Sequence, residues 1–177
     1  PLLRRLKAEL EGIRTPEGRV VLSAYADDLT LFLRSEEELA RAIQILDEFE
    51  QTAGLAVNRD KTQIMVLGPP PPNNSIAGLE VVRELTVTGI THSFEDHQAT
   101  IQANYDRALS RAKTALNMCN GRFINLLGRP MLVKAWSNPQ LQFVSTALPP
   151  PAKTDKAFAR VNYQFIWGKR DRVARTR

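Results

Sequence analysis

The sequence predicts an α+β protein: helices mixed with short antiparallel strands up to about residue 92, then a mostly helical region from 93 to 177. Three observations predict it. Val20–Tyr25 and Leu29–Leu33 are turn-bounded runs of strand-forming residues. Around them lie segments whose apolar residues recur at helical spacing. From about Thr100 onward only the helical period remains.

In chain order, PLLRRLKAELEGI reads as a helix opened by Pro1, a residue favoured at helix starts, and stopped near Gly12. Thr15-Pro16-Glu17-Gly18 marks a turn. Only Ala26, Asp27 and Asp28 separate Val20–Tyr25 from Leu29–Leu33, so these strands pair as an antiparallel hairpin with the acids at its tip. Ser35 opens the next helix, and Ser35 with Glu38 has the S-x-x-E spacing of a capping box. Leu39, Ile43, Leu46 and Phe49 form its apolar face, and Gly54 closes it. Ala56–Asn58 and Gln63–Leu67 are short strand candidates around the turn Asn58-Arg59-Asp60-Lys61, which the Asn58 side chain is expected to hold.

GPPPPNNS, residues 68–75, is a loop of polyproline form, because consecutive prolines fit neither a helix interior nor a central strand. Leu79–Val82 and Leu85–Thr91 read as a second hairpin. Ile101, Tyr105, Leu109, Ala112 and Leu116 line one face of a helix. Pro130–Leu148 gives another, broken near Pro139, and Pro149-Pro150-Pro151 stops it. Ala157–Trp167 is a last helix with Phe158, Val161, Phe165 and Ile166 on its apolar side. Trp136 and Trp167 both lie in apolar helical frames and are expected in the core.

The 177 residues, 43% hydrophobic and 24% charged, have the composition of a globular protein. No apolar run approaches the ~20 residues of a membrane helix, so no membrane partner is expected. The charged, periodic N-terminal stretch is unlike a signal peptide. The one cysteine, Cys119, excludes an internal disulfide and fits a reducing intracellular compartment, nucleus or cytoplasm, rather than secretion. With only His92 and His97 beside it, a structural zinc site is not expected. The net charge of +5 is uneven: residues 152–177 carry eight Lys or Arg against two Asp. That basic end is either a phosphate-binding surface or a solvated tail.

VVLSAYADDLTLFL, residues 20–33, places two adjacent carboxylates inside an apolar run. Like charges held that close repel, and an unpaired buried carboxylate is costly. A solvated chain reversal relieves the repulsion, and so does a divalent cation. Mg²⁺, or Mn²⁺ in its place, takes carboxylate oxygens and keeps some water. Nucleotidyl transfer uses two such ions about 3.5–4 Å apart. On the cation reading the pair faces a groove and shares its ion with a neighbouring strand.

YADDLTLF, residues 25–32, resembles the metal-binding hairpin of reverse transcriptases. GLAVNRDKTQIMVLG, residues 54–68, resembles the next palm motif of that family, Gly-Leu-x-x-Asn-x-x-Lys-Thr after a helix. LTVTGI, residues 85–90, sits where the family has its primer-grip hairpin, but Thr86-Val87-Thr88 departs from the usual pattern there. LLGRPMLVKAWSNPQLQFVSTALPPP and FIWGKRDRVA resemble the helical region after the palm in non-LTR (LINE-type) retrotransposon polymerases. PLLRRLKAELEGI resembles the tail of the family's preceding motif.

The resemblance implies the C-terminal half of a palm over residues 1–92 and a thumb or connection region over 93–177, with a basic C-terminal tail. It implies RNA-directed DNA synthesis from an RNA template, a DNA primer and a deoxynucleoside triphosphate, with Mg²⁺ as cofactor. Asp27 becomes a metal ligand with Asp28 as its less direct neighbour, and the other palm Asp, with the fingers and first palm half, is expected outside this chain. The isolated chain is therefore expected to be inactive and poorly stable. Lys61 matches the motif lysine beside the triphosphate, a general acid for the leaving pyrophosphate, and is otherwise a surface lysine in a turn. Tyr25 is expected beneath the primer terminus, or as an ordinary strand aromatic, and Gly89 permits close backbone approach in the primer grip. Arg122, Arg129 and Lys134 are candidates for tracking the template-primer backbone, or form a solvated helix face. Lys169, Arg170 and Arg172 are expected on nucleic acid. The rival readings are a nucleic-acid-binding module without chemistry and a decayed retrotransposon remnant.

Overall fold

The computed structural model describes residues 1–69, 74–120 and 122–168. Two compact units divide the chain, Pro1–Gly89 and Ile90–Arg177. The expected boundary lies at residue 92; this division falls just before the strand Ile90–Ser93, where the chain turns at Thr88 and Gly89. Both of those residues have positive φ, 47° and 84°, the signature of a two-residue turn between strands.

The first unit opens with α1 (Leu2–Glu9), β1 (Ile13–Thr15) and β2 (Gly18–Val20). β3 (Leu22–Tyr25) and β4 (Asp28–Leu31) follow, then α2 (Glu36–Ala53). The expected strand Val20–Tyr25 therefore serves two ladders: β2 pairs with β1, and β3 with β4. The β1 strand was not expected, since Ile13-Arg14-Thr15 is too short to show a period. α2 has its expected ends. Ser35 is the N-cap, with Oγ accepting from the Glu38 N–H, and Gly54 closes the helix at φ 69°. Its deepest stripe is Ala42 and Ile45, while Leu39, Ile43, Leu46 and Phe49 are half-buried.

Leu6, Leu10, Val21, Ala42 and Ile45 form the core of this unit, with Leu2, Leu22, Leu31 and Leu33 packed against it. The root of the acid hairpin is thus held in apolar contact, and its tip projects into solvent. Ala56–Asn58 is not a strand. A single 3₁₀ turn, Arg59–Lys61, leads into β5 (Gln63–Ile64). β6 (Ser75–Ile76) and β7 (Leu79–Val81) follow a loop whose residues 70–73 lie outside the described set, so its expected polyproline form does too. β7 pairs with β5 in parallel and with β6 antiparallel. The expected hairpin of Leu79–Val82 with Leu85–Thr91 is therefore replaced: β8 (Glu84–Val87) has β9 (Ile90–Ser93) as its ladder partner.

In the second unit α3 (His97–Cys119) is capped by the Asp96 carboxylate, which accepts from the Ala99 N–H at 2.9 Å. Ile101, Tyr105, Ala112 and Leu116 are buried on the expected face. The helical run expected from Pro130 is continuous: α4 (Gly128–Leu132), a π-helical turn Val133–Ser137 and α5 (Asn138–Ser145). Pro139 has no N–H to give the carbonyl one turn back, and the turn before it widens to a π geometry instead of breaking. α6 (Thr154–Trp167) buries Phe158 and Phe165. Neither tryptophan is in the core: Trp136 is 50% and Trp167 37% exposed, the latter 6.4 Å from the Tyr163 ring. The π turn rotates Trp136 off the stripe that buries Val133 and Ser137.

Candidate active site

The β3–β4 register runs from Leu22 opposite Leu31 to Tyr25 opposite Asp28. Two residues, Ala26 and Asp27, make the turn, so Asp28 is a strand residue and not part of the connection. Ala26 holds φ at 50°, a left-handed value required at the first central position of one class of two-residue hairpin turn. Cross-strand partners share a face, so Asp28 lies beside Tyr25. Asp27 leaves the turn in another direction. Asp27, Asp28 and Tyr25 are all exposed, Tyr25 to 73%.

That exposure corrects one expectation. The acid pair does not need an ion to be tolerated, because water solvates both carboxylates at the tip. Among the described residues no group of three or more His, Cys, Asp or Glu could hold a metal ion. The donor chemistry still suits a hard cation, since Mg²⁺ is commonly held by one or two carboxylates plus substrate phosphates. Asp27 and Asp28 supply such a partial set.

Lys61 ends the 3₁₀ turn, exposed. Asn58 caps that turn as expected, its Oδ1 accepting from the Lys61 N–H at 3.2 Å. A second tie was not expected: Arg59 pairs with Asp47 of α2 at 2.7 Å. Gly89 occupies a turn, and its positive φ is the reason for glycine there.

In the second unit Arg122 and Lys134 are exposed. Arg129 is half-buried and engaged within the protein. Its guanidinium donates to the Phe165 carbonyl at 2.8 Å and lies 5.8 Å from that ring's centroid. Lys169, Arg170 and Arg172 lie outside the described residues. One signal went unused in the sequence: between Asp106 and Asp155 there is no acid, against seven Lys or Arg. Phe123, Leu127 and Met131 in that stretch are each more than 70% exposed.

The hairpin is rooted in a core and carries exposed carboxylates at its turn. Residues 1–92 match the family model of reverse transcriptase (RNA-dependent DNA polymerase). The match covers just over half of the chain, and the chain belongs to that family. Members of the family use divalent metal ions, a nucleic-acid template and primer, and deoxynucleoside triphosphates. No helix among the described residues is long and apolar enough to cross a membrane.

Proposed function

We propose that the chain is the acid-hairpin half of the palm and the thumb region of an RNA-directed DNA polymerase of the non-LTR retrotransposon type. The observation that carries this reading is the family match over 1–92, with YADD at the tip of a hairpin whose root is buried. In the reaction a primer 3′-hydroxyl attacks the α-phosphate of a deoxynucleoside triphosphate, and pyrophosphate leaves. Asp27, with Asp28 beside it, would hold Mg²⁺ or Mn²⁺, which lowers the pKa of the attacking hydroxyl and neutralises the phosphates. Lys61 gives a proton to the leaving pyrophosphate. Tyr25, on the face of Asp28, packs beneath the primer end, and the turn at Gly89 belongs to the primer grip.

On this reading the remaining carboxylate of a two-ion site belongs to a palm strand outside this chain, and the chain alone is expected not to extend a primer. The acid-free stretch between Asp106 and Asp155 supports a nucleic-acid surface in the second unit, with Arg122 and Lys134 among its exposed cations.

Titration of the labelled chain with Mn²⁺, followed by amide broadening in NMR spectra, tests the hairpin. Broadening centred on residues 25–28 and lost in Asp27→Asn is expected. Broadening scattered over other surface acids, with the hairpin untouched, overturns the assignment. Primer extension by the chain alone, abolished in Asp27→Ala, would overturn the predicted inactivity.

A further inference from the structure

Glu38 does more than its place in a capping box requires. In that motif the N3 carboxylate turns back to the N-cap N–H. Here its two oxygens reach two different chain segments. Oε1 accepts from the Gly12 N–H and Oε2 from the Arg34 N–H, each at 2.7 Å. Gly12 is buried and lies against the backbone of Val20 and Val21, where the chain enters the acid hairpin. Arg34 follows Leu33, where the chain leaves it. The same two segments are tied again by Glu11 and Arg34, whose side chains pair at 2.6 Å. Val21 and Phe32 close the loop, the Phe32 N–H donating to the Val21 carbonyl at 2.8 Å.

We propose that Glu38 is the positioning residue of the acid hairpin: one carboxylate latches both its entry and its exit to the first turn of α2, and so fixes where Asp27 and Asp28 stand. The inference rests on the reading of those aspartates as metal ligands. The physical need is plain. β3 and β4 pair only with each other among the described residues, and a two-stranded ladder in water is marginal by itself. The tip gains no support from packing, so its position depends on the root. A carboxylate at the N-terminus of a helix is well placed to serve as a fixed point, because the helix start favours negative charge and Ser35 orders the same turn.

Glu38→Gln isolates the latch. Glutamine also serves in a capping box, but it offers one acceptor oxygen where two are used, and its NH₂ faces an N–H. Amide hydrogen exchange of the full chain is the first readout. Loss of a hydrogen bond to a charged group predicts exchange of the β3–β4 ladder faster by about tenfold or more, with Ile45 in α2 and Tyr105 in α3 changed less than about twofold. Mn²⁺ titration is the second: the variant needs several-fold more Mn²⁺ than the wild type for equal broadening at Asp27 and Asp28. Unchanged ladder exchange overturns the latch. An equal rise at Ile45 also overturns it, because Glu38 would then serve general stability. Wild-type protein with no Mn²⁺ effect at the hairpin refutes the metal reading, and the exchange result then decides the latch alone.

Discussion

A Cβ placed on Gly12 would stand 2.3 Å from the Val20 carbonyl oxygen and 2.9 Å from the Val21 Cα. Gly12 also holds φ at 65°, a region where a side chain costs about 1–2 kcal/mol. Both obstacles are backbone, so no side chain can swing aside. Gly12→Ala is therefore expected to cost the first unit more than about 2 kcal/mol, the conformational penalty with steric overlap added. Urea unfolding followed at Leu6 and Ile45 measures it. An unchanged midpoint would mean that the entry to the hairpin is free to shift.

Asn104 carries the comparable constraint in the second unit. It is buried, accepts from the Thr91 N–H at 3.0 Å, and donates to the carbonyls of Thr91 and Thr100, each at 2.8 Å. The amide thus holds β9 to α3 as a strand neighbour would. Asn104→Ala removes all three bonds at a buried site and should destabilise this unit by about 2–4 kcal/mol. Thermal melting read from α3 signals measures the loss. Asn104→Leu, which restores volume without bonds, should recover little of it.

These two residues show where sequence reasoning stops. α2 and α3 were legible because caps and apolar spacing are local: Ser35, Gly54 and the stripe Ile101 to Leu116 all stand as the periodicity requires. The hairpin was legible because two strand-forming runs lie close together. Its two-residue turn was not, since Asp28 has to pair with Tyr25 before it counts as strand. Asn104 falls on the buried face of α3, but a polar residue there gives no hint of the strand edge it will meet. Glu38 was visible as a cap, yet its grip on Gly12 joins residues 26 apart in sequence. Arg129 read as a free cation because nothing local announces a carbonyl on α6.

Tyr105 predicts an alkaline limb. Its hydroxyl donates to the Leu148 carbonyl at 2.7 Å, and burial, with a smaller contribution from the charge of Asp155, raises its pKa above the ordinary tyrosine value. The folded state then holds its proton where the unfolded chain has lost it. This stability is fully present below about pH 10 and is lost as pH rises through the folded value. Tyr105→Phe should melt somewhat lower at neutral pH, by the ~1 kcal/mol of one hydrogen bond, and show a flatter decline above about pH 10. Parallel alkaline slopes for both proteins would remove Tyr105 as the cause.

The acid limb belongs to α1 and α2. Arg5 pairs with Glu9 at 2.6 Å and with Glu48 at 2.5 Å, and Arg41 also pairs with Glu9. The Arg5 hydrogen bond is the main cause that holds both carboxyls below their usual range. Groups with depressed folded values stabilise above the unfolded pKa, 4.5 for each, and cease to as pH falls through the lower folded value. Arg5→Gln should bring the acid midpoint of the first unit up in pH and weaken its response to salt. NMR titration of the Glu9 and Glu48 side chains checks this, and unshifted titrations in the variant would mean that the pairs are screened away.

Ala26 carries the last prediction, because it is the one residue of the acid turn whose backbone is strained. Alanine at φ 50° costs about 1–2 kcal/mol relative to a right-handed conformation. Glycine would remove that cost but enlarge the unfolded ensemble by a similar amount, about 0.4–1 kcal/mol. Ala26→Gly should therefore leave global stability within about 1 kcal/mol of wild type. Its effect should appear at the tip instead. Strain kept at the turn restricts the conformers open to Asp27, and glycine lifts that restriction. Backbone relaxation should show residues 26–28 more mobile in the variant, and Mn²⁺ broadening at Asp27 should require more ion. Unaltered mobility and unaltered Mn²⁺ response would show that the ladder, rather than the strained alanine, sets the position of the acids.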